Sequence, residues 1–137
     1  MILDATSAAI YTALNAGTAL TALLASTTSI YDMQAPDVAA LPYVVFSHQG
    51  GGPDNIAPVN LENNLWYVRA YSAINAKSAT EILTQIDALL NRKQLSITGY
   101  TTFWCNREEN IRLIENLPNG GKIYSAGAIY RIRAAAS

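Results

Sequence analysis

One histidine, one cysteine and a run of three glycines are the residues from which this chain would have to build any chemistry. The glycines sit in LPYVVFSHQGGGPDN, residues 41–55, where an apolar segment empties into Gly50, Gly51 and Gly52. A phosphate-binding loop begins that way, because glycines let backbone N–H groups close on an anion. Such a loop must then lead directly into a helix, and the Walker version adds a Lys and a Ser or Thr. Here Pro53, Asp54 and Asn55 follow, then IAPVNLEN, and the next strongly periodic helix lies beyond another strand. The glycines therefore read as part of a long flexible loop, residues 49–63, between two neighbouring strands. Loops of that length in a compact domain tend to be functional or disordered, and this one could order when a partner covers it.

Other constellations are equally thin. His48 and Cys105 make a Cys–His nucleophile pair arithmetically available. His48, however, closes a strand, and Cys105 follows Phe103 and Trp104 in the manner of a small apolar filler. Glu108 and Glu109 are adjacent carboxylates, but among Arg107, Arg112 and Glu115 they read as a solvated charged patch. One His and one Cys leave the usual metal-ligand sets unfilled. The sequence reads as no enzyme, with no cofactor and no metal.

The elements that would position these residues form one domain. A chain of 137 residues can bury a proper core. It is half apolar with 14% charged residues and a net charge of −1, which gives no electrostatic case for gripping nucleic acid, a task that calls for a basic face. A lone cysteine cannot make an intrachain disulfide, so the chain lacks the framework of a small secreted domain and fits a cytosolic origin. The apolar N-terminus is read as neither signal nor membrane span. The first basic residue is Arg69, and Asp4, Thr6, Ser7, Thr12, Asn15 and Thr18 break the apolar run.

Two short helices account for that N-terminus: one carries Ile2 or Leu3, Ile10, Ala13 and Leu14 on a stripe and ends at Gly17, and a second carries Leu20, Leu23 and Leu24. Strands follow at residues 29–33, 43–48 and 64–72. In the last, Trp66, Val68 and Ala70 alternate with Leu65, Tyr67, Arg69 and Tyr71. The segment NAKSATEILTQIDALLNRK is the best helix, with Ala79, Ile82, Leu83, Ile86, Leu89 and Leu90 on one face; either Asn75 or Ser78 can cap it. Three more strands are expected, at residues 95–106, 110–116 and 122–134. The last two should form a hairpin across Asn119 and Gly120. The order α-α-β-β-β-α-β-β-β predicts an α+β fold, a mostly antiparallel or mixed sheet with helices packed on one face.

Taken in order, these segments resemble the tail completion, or tail terminator, proteins of long-tailed phages. Ile30, Tyr31 and Asp32, then Pro42, Tyr43, Val44 and Val45, match the family's opening. The likeness continues through residues 66–72, the helix EILTQIDALLNRKQL and the C-terminal Tyr130, Arg131, Ile132 and Arg133. Residues 105–110 match no family pattern. The resemblance implies a structural virion protein made in the host cytoplasm and placed at the head–tail interface. It would form a sixfold homo-oligomeric ring that caps the tail tube protein, ends tube polymerisation and docks the head connector, while DNA passes its lumen without specific binding and no membrane is involved. A ring closed by head-to-tail contacts needs two different complementary patches on each subunit. Gly50, Gly51, Gly52, Asp54 and Asn55 in the loop, with Glu62, Arg69, Arg107, Glu108, Glu109, Arg112 and Arg131, are the candidates. Tyr31, Tyr67, Tyr71 and Tyr124 add amphipathic contact area. On this reading, deleting residues 50–60 spares the fold and abolishes the joining of heads to tails.

Two other functions stay open from the residues alone. A small α+β domain binding an apolar ligand or peptide would show a deep pocket between helices and sheet and no self-association. An enzyme using Cys105 and His48 would lose activity, but not assembly, on Cys105→Ser.

Overall fold

The computed structural model of the chain describes residues 2–54 and 61–136. Its frame is the pairing of two long strands, β3 (Leu61–Ser72) and β7 (Lys122–Ala136), which run antiparallel from Leu61 opposite Ala135 to Ser72 opposite Tyr124 without a register shift. Both alternate with period two. Asn64, Trp66, Val68, Ala70 and Ser72 of β3, and Ala126, Ala128, Tyr130, Ile132 and Ala134 of β7, are buried on one face. The residues that alternate with them, including Tyr67, Arg69, Tyr71 and Arg131, point the other way and stay half-exposed.

The sheet grows outward from that pair. On one side lie β2 (Tyr43–Pro53), antiparallel to β3, and β1 (Ile30–Asp32), which is parallel to β2 and forms the edge. On the other side lies β6 (Trp104–Asn116), antiparallel to β7, with the two-residue β4 (Lys93–Gln94) touching only its start. The short β5 (Tyr100–Thr102) pairs with the far end of β7. The result is a seven-stranded mixed sheet, antiparallel except for β1 with β2, in an α+β fold.

Helices α1 (Ile2–Asn15) and α3 (Ala76–Leu90) lie on the buried face, with the single turn α2 (Thr18–Thr21) beside them. Ala79, Ile82, Leu83, Ile86 and Leu90 of α3 are buried, as the 3.6-residue period predicts. Each fully buried Leu or Ile contributes roughly 1.5–3 kcal/mol of transfer free energy. Of the two possible caps, Asn75 is the one used: its Oδ1 accepts from the Ser78 N–H at 2.7 Å, while the Ser78 hydroxyl accepts from Ser72. Gly17 does stand between α1 and α2, but its φ of −82° is not a left-handed helix stop. What it provides is clearance, since a Cβ there would lie 2.4 Å from Leu89 Cδ1.

Three expectations change. Strand β2 does not stop at His48. It runs through Gly50, Gly51 and Gly52 to Pro53, whose partner is Glu62, so the glycines belong to the sheet and the connection is shorter than residues 49–63. A register shift between His48 and Gly50 and the φ of +102° at Gly51 mark a bulge. A Cβ on Gly51 would sit 2.3 Å from the Asn63 carbonyl oxygen, so the glycine is required there for space as well as for φ. Deleting residues 50–60 would therefore remove rungs of the β2–β3 ladder and cannot leave the fold untouched. Second, residues 95–106 are not one strand: Leu95 and Ile97 are buried outside any strand, and only β5 forms before Phe103. Third, residues 107–109, left between two expected strands, lie inside the single strand β6.

The expected hairpin between the last two strands is present. Asn116 pairs with Lys122, Gly120 takes φ +86°, and the Gly121 N–H donates to Asn119 Oδ1 at 2.9 Å. Two substitutions in α3 separate its local from its tertiary support. Asn75→Ala should cost about 1 kcal/mol through the lost cap, and Ile86→Ala about 2–5 kcal/mol through the buried cavity. Urea unfolding monitored by circular dichroism measures both, and equal losses would show that the cap does more than end the helix.

Candidate functional site

The residues named for catalysis are kept apart by the sheet. His48 is on β2 and Cys105 on β6, with β3 and β7 between them, which places their strands three spacings, or about 14 Å, apart. The His48 Nε2 is 3.0 Å from Asn64 Oδ1, and its ring meets Trp66 edge-on. Cys105 is fully buried, and burial, reinforced by the nearby Asp87 carboxylate, pushes its thiol up to about 12. A thiol held protonated is neither a nucleophile nor a metal ligand at neutral pH. Among the described residues no group of three or more His, Cys, Asp or Glu side chains is arranged to hold a metal.

Among the described residues two recesses lie where a helix meets the sheet, about 370 Å³ lined by Leu3, Ser7, His48 and Trp66 and about 360 Å³ lined by Thr84, Asp87, Arg107 and Ile111; both open to the surface, and the layer between helices and sheet is packed. Ile10, Leu14, Phe46, Ile82, Ile86 and Tyr130 fill that layer with under 2% exposure each. A further recess of about 420 Å³, between α1 and residues 93–98, is an open groove at the surface rather than a cavity in the core.

What the structure does gather are charged and aromatic side chains on the uncovered parts of the sheet. Arg131 holds Glu108 in a two-pronged pair, Nε to Oε1 at 2.5 Å and Nη2 to Oε2 at 3.0 Å, and its Nη1 donates to Asn63 Oδ1 at 2.7 Å. This hydrogen bonding draws the Glu108 carboxyl below its usual range and raises Arg131 above its own. Arg107 pairs with Asp87 at 3.1 Å, and Asp87 also accepts from the buried Tyr130 hydroxyl at 3.0 Å. Burial first, and Asp87 second, raise the Tyr130 phenol far above its ordinary value. Arg107, Glu108 and Arg131, named as candidates for a subunit interface, thus find partners inside their own chain. The Asp87–Tyr130 link, which ties α3 to β7, was not visible in the sequence, because its members are 43 residues apart.

Arg69 is different. It lies on the outer face between Tyr67 and Tyr71, its guanidinium 4.8 Å and 5.7 Å from their ring centres. No acid pairs with it among the described residues, and its Nε is buried without a hydrogen-bond partner. Tyr43 packs against both Tyr31 and Tyr71 beside it. Burial is the main cause that raises the Tyr43, Tyr67 and Tyr71 phenols. Space for the Tyr67 and Arg69 side chains comes from Gly127, where a Cβ would lie 2.6 Å from Tyr67 Cε1 and 2.9 Å from Arg69 Cγ. Sequence reading named Arg69, Tyr67 and Tyr71 but missed Tyr43 and Gly127; the clue lay in the β3–β7 register, which sets Gly127 directly opposite Arg69.

Glu109 and Arg112 are exposed on β6, and Glu62 is half-exposed at the start of β3. The Asp54 N–H donates to the Leu61 carbonyl at 2.7 Å, closing the end of the β2–β3 ladder. Asn55 lies outside the described residues.

This arrangement, a packed core beneath an uncovered aromatic and charged face, suits contact with other proteins better than chemistry on a small molecule. The sequence model of the family described as tail completion protein gp17 matches residues 8–120. The chain belongs to that family. A tail completion protein is a structural component of a phage-like virion, and the fold agrees. A chain in a solved structure of the virion of a native gene transfer agent particle superposes with a TM-score of 0.82, covering 98% of this chain and 97% of that one at 16% identity. No curated protein matches the chain by sequence.

The burial of Cys105 has a direct readout. The native tail completion protein should resist thiol-specific labelling at pH 8 and react fully once unfolded in guanidinium chloride; rapid labelling of the folded protein would contradict a buried, protonated thiol. The Arg131–Glu108 pair adds a pH dependence. Because the folded Glu108 carboxyl is depressed, its contribution is present above the ordinary carboxylate range and is lost as pH falls through the folded value. The stability gap between the native protein and Glu108→Gln should therefore close on acidification.

Proposed function

We propose that this protein is the structural ring that caps the tail tube, ends tube polymerisation and offers the head connector its docking surface. The observation that carries the reading is the family match across residues 8–120. The molecule's physical character supports it: a fully packed core, no catalytic or metal constellation among the described residues, and a sheet face and edge left uncovered by the chain's own helices. On this reading the protein works without catalysis. Six copies close head to tail, and the connection between β2 and β3, with Asp54 and Glu62 at its ends, meets the tube or the connector. The net charge of −1 suits a lumen that DNA must cross without being held.

The test is assembly. Native mass spectrometry over a wide concentration range, with negative-stain images of the heaviest species, should show a closed ring with a central hole, either alone or once tail tubes are added. Adding the protein to polymerising tube subunits should fix tube length. A protein that stays monomeric with tubes present, and leaves tube growth unchanged, would overturn the reading.

A further inference from the structure

Strand β6 and the start of β7 extend past the part of the sheet that the helices cover. From residue 106 to 117 only Ile111 is even half-buried. Leu113 is 57% exposed, Ile114 50% and Leu117 37%. Neighbouring residues on a strand point to opposite faces, so Leu113 and Ile114 show that both faces of this arm lack a cover. Its outward edge is also open, since β4 pairs only with Trp104 and Cys105 and the Arg107 N–H is taken by the Asn91 side chain. A two-stranded arm open on both faces and one edge is marginal by itself in water, and natural proteins rarely leave such an edge unpaired.

A complementary surface lies at the other edge of the sheet. Beside β1 a recess of about 250 Å³ is walled by Met33, Tyr43, Val45, Arg69 and Tyr71. It holds the arginine that lacks an acid, and Met33 at its rim is 74% exposed. The arm carries the opposite character: Leu113 shares its face with Glu109 and Glu115, neither of which has an ion-pair partner among the described residues. One edge thus offers unpaired carboxylates with an apolar side chain between them, and the other an unpaired cation with an apolar rim. That is the two-patch condition for a contact that repeats head to tail.

We propose that the β6–β7 arm of one copy docks on the Arg69 recess of the next copy, the arm's carboxylate side facing the arginine. The occupant of the recess is a second copy of this chain, and the proposal rests on the ring reading above. It assigns the subunit contact to the two sheet edges, and leaves the β2–β3 connection free for the tube or connector.

A photo-crosslinking variant, Leu113→benzoylphenylalanine, tests it in the assembled full-length protein, with ring formation checked separately by native mass. The expected result is a copy-to-copy cross-link whose acceptor peptide contains residues 33–35 or 69–71. A ring whose cross-links fall elsewhere overturns this contact and leaves the ring intact. Absence of any ring, with tail tubes present, overturns the ring reading and this contact with it. Leu113→Lys, which sets a cation on the carboxylate side of the arm, provides a second measurement on an exposed side chain. Its unfolding transition should match that of the native protein, while the concentration needed for half-assembly rises by about tenfold or more, as for a central interface residue. Unchanged assembly by that variant would overturn the contact.

Discussion

The unbroken register between β3 and β7 is the constraint on which the rest of the molecule depends. Because side chains alternate along each strand, this pairing decides in one step what becomes core and what becomes surface. On one side it lines up Ala70, Ala126 and Ala128, all fully buried and small, so that α3 can lie close to the sheet. On the other it sets Arg69 across from Gly127 and gives the Tyr67 and Arg69 side chains the room they occupy. A slip of one residue would turn Trp66 and Val68 to solvent and drive Arg69 into the core, so the outer face is as strongly specified as the inner one.

Polar links then fix the layers to one another. Asp87 on α3 takes both the Tyr130 hydroxyl from β7 and the Arg107 guanidinium from β6, which holds helix and two strands at a single carboxylate. Arg131 joins β7 to Glu108 of β6 and Asn63 of β3. Pairs as exposed as Arg131 with Glu108 add little to stability. Their consequence is positional, because they settle which charges are taken within the chain and which, such as Arg69, Glu109 and Arg112, are left for other contacts.

That division matters for a structural virion component. An assembly protein needs surfaces that exist before the partner arrives, since ordering them at the moment of contact would weaken binding. On the outer face the side chains are already packed on each other: Tyr31 against Tyr43, Tyr43 against Tyr71, and Arg69 between Tyr67 and Tyr71. The same packing removes reactive groups from view. Cys105 lies in the core with its thiol held protonated, so a residue that could have suggested chemistry serves as filler.

The α+β class, the periodic stripe of α3, the alternation in β3 and the last hairpin were all legible in the sequence, because each is a local pattern whose period or turn chemistry is set within a few residues. The order of short segments was enough to suggest the family. What the sequence could not decide was whatever depends on a partner strand. The glycines of residues 50–52 looked like a loop because glycine favours turns, yet pairing with residues 63–65 carries them as a bulged strand. Residues 107–109 fell between two expected strands, yet β7 supplies the ladder that carries them within one strand, with an irregularity at Glu108. Whether Arg131 meets an acid in its own chain, whether Gly127 makes room for Arg69, and which edge of the sheet stays open are all set by register between segments distant along the chain. Only the tertiary structure could fix these, because hydrogen-bond pairing and close approach are properties of two strands and not of one.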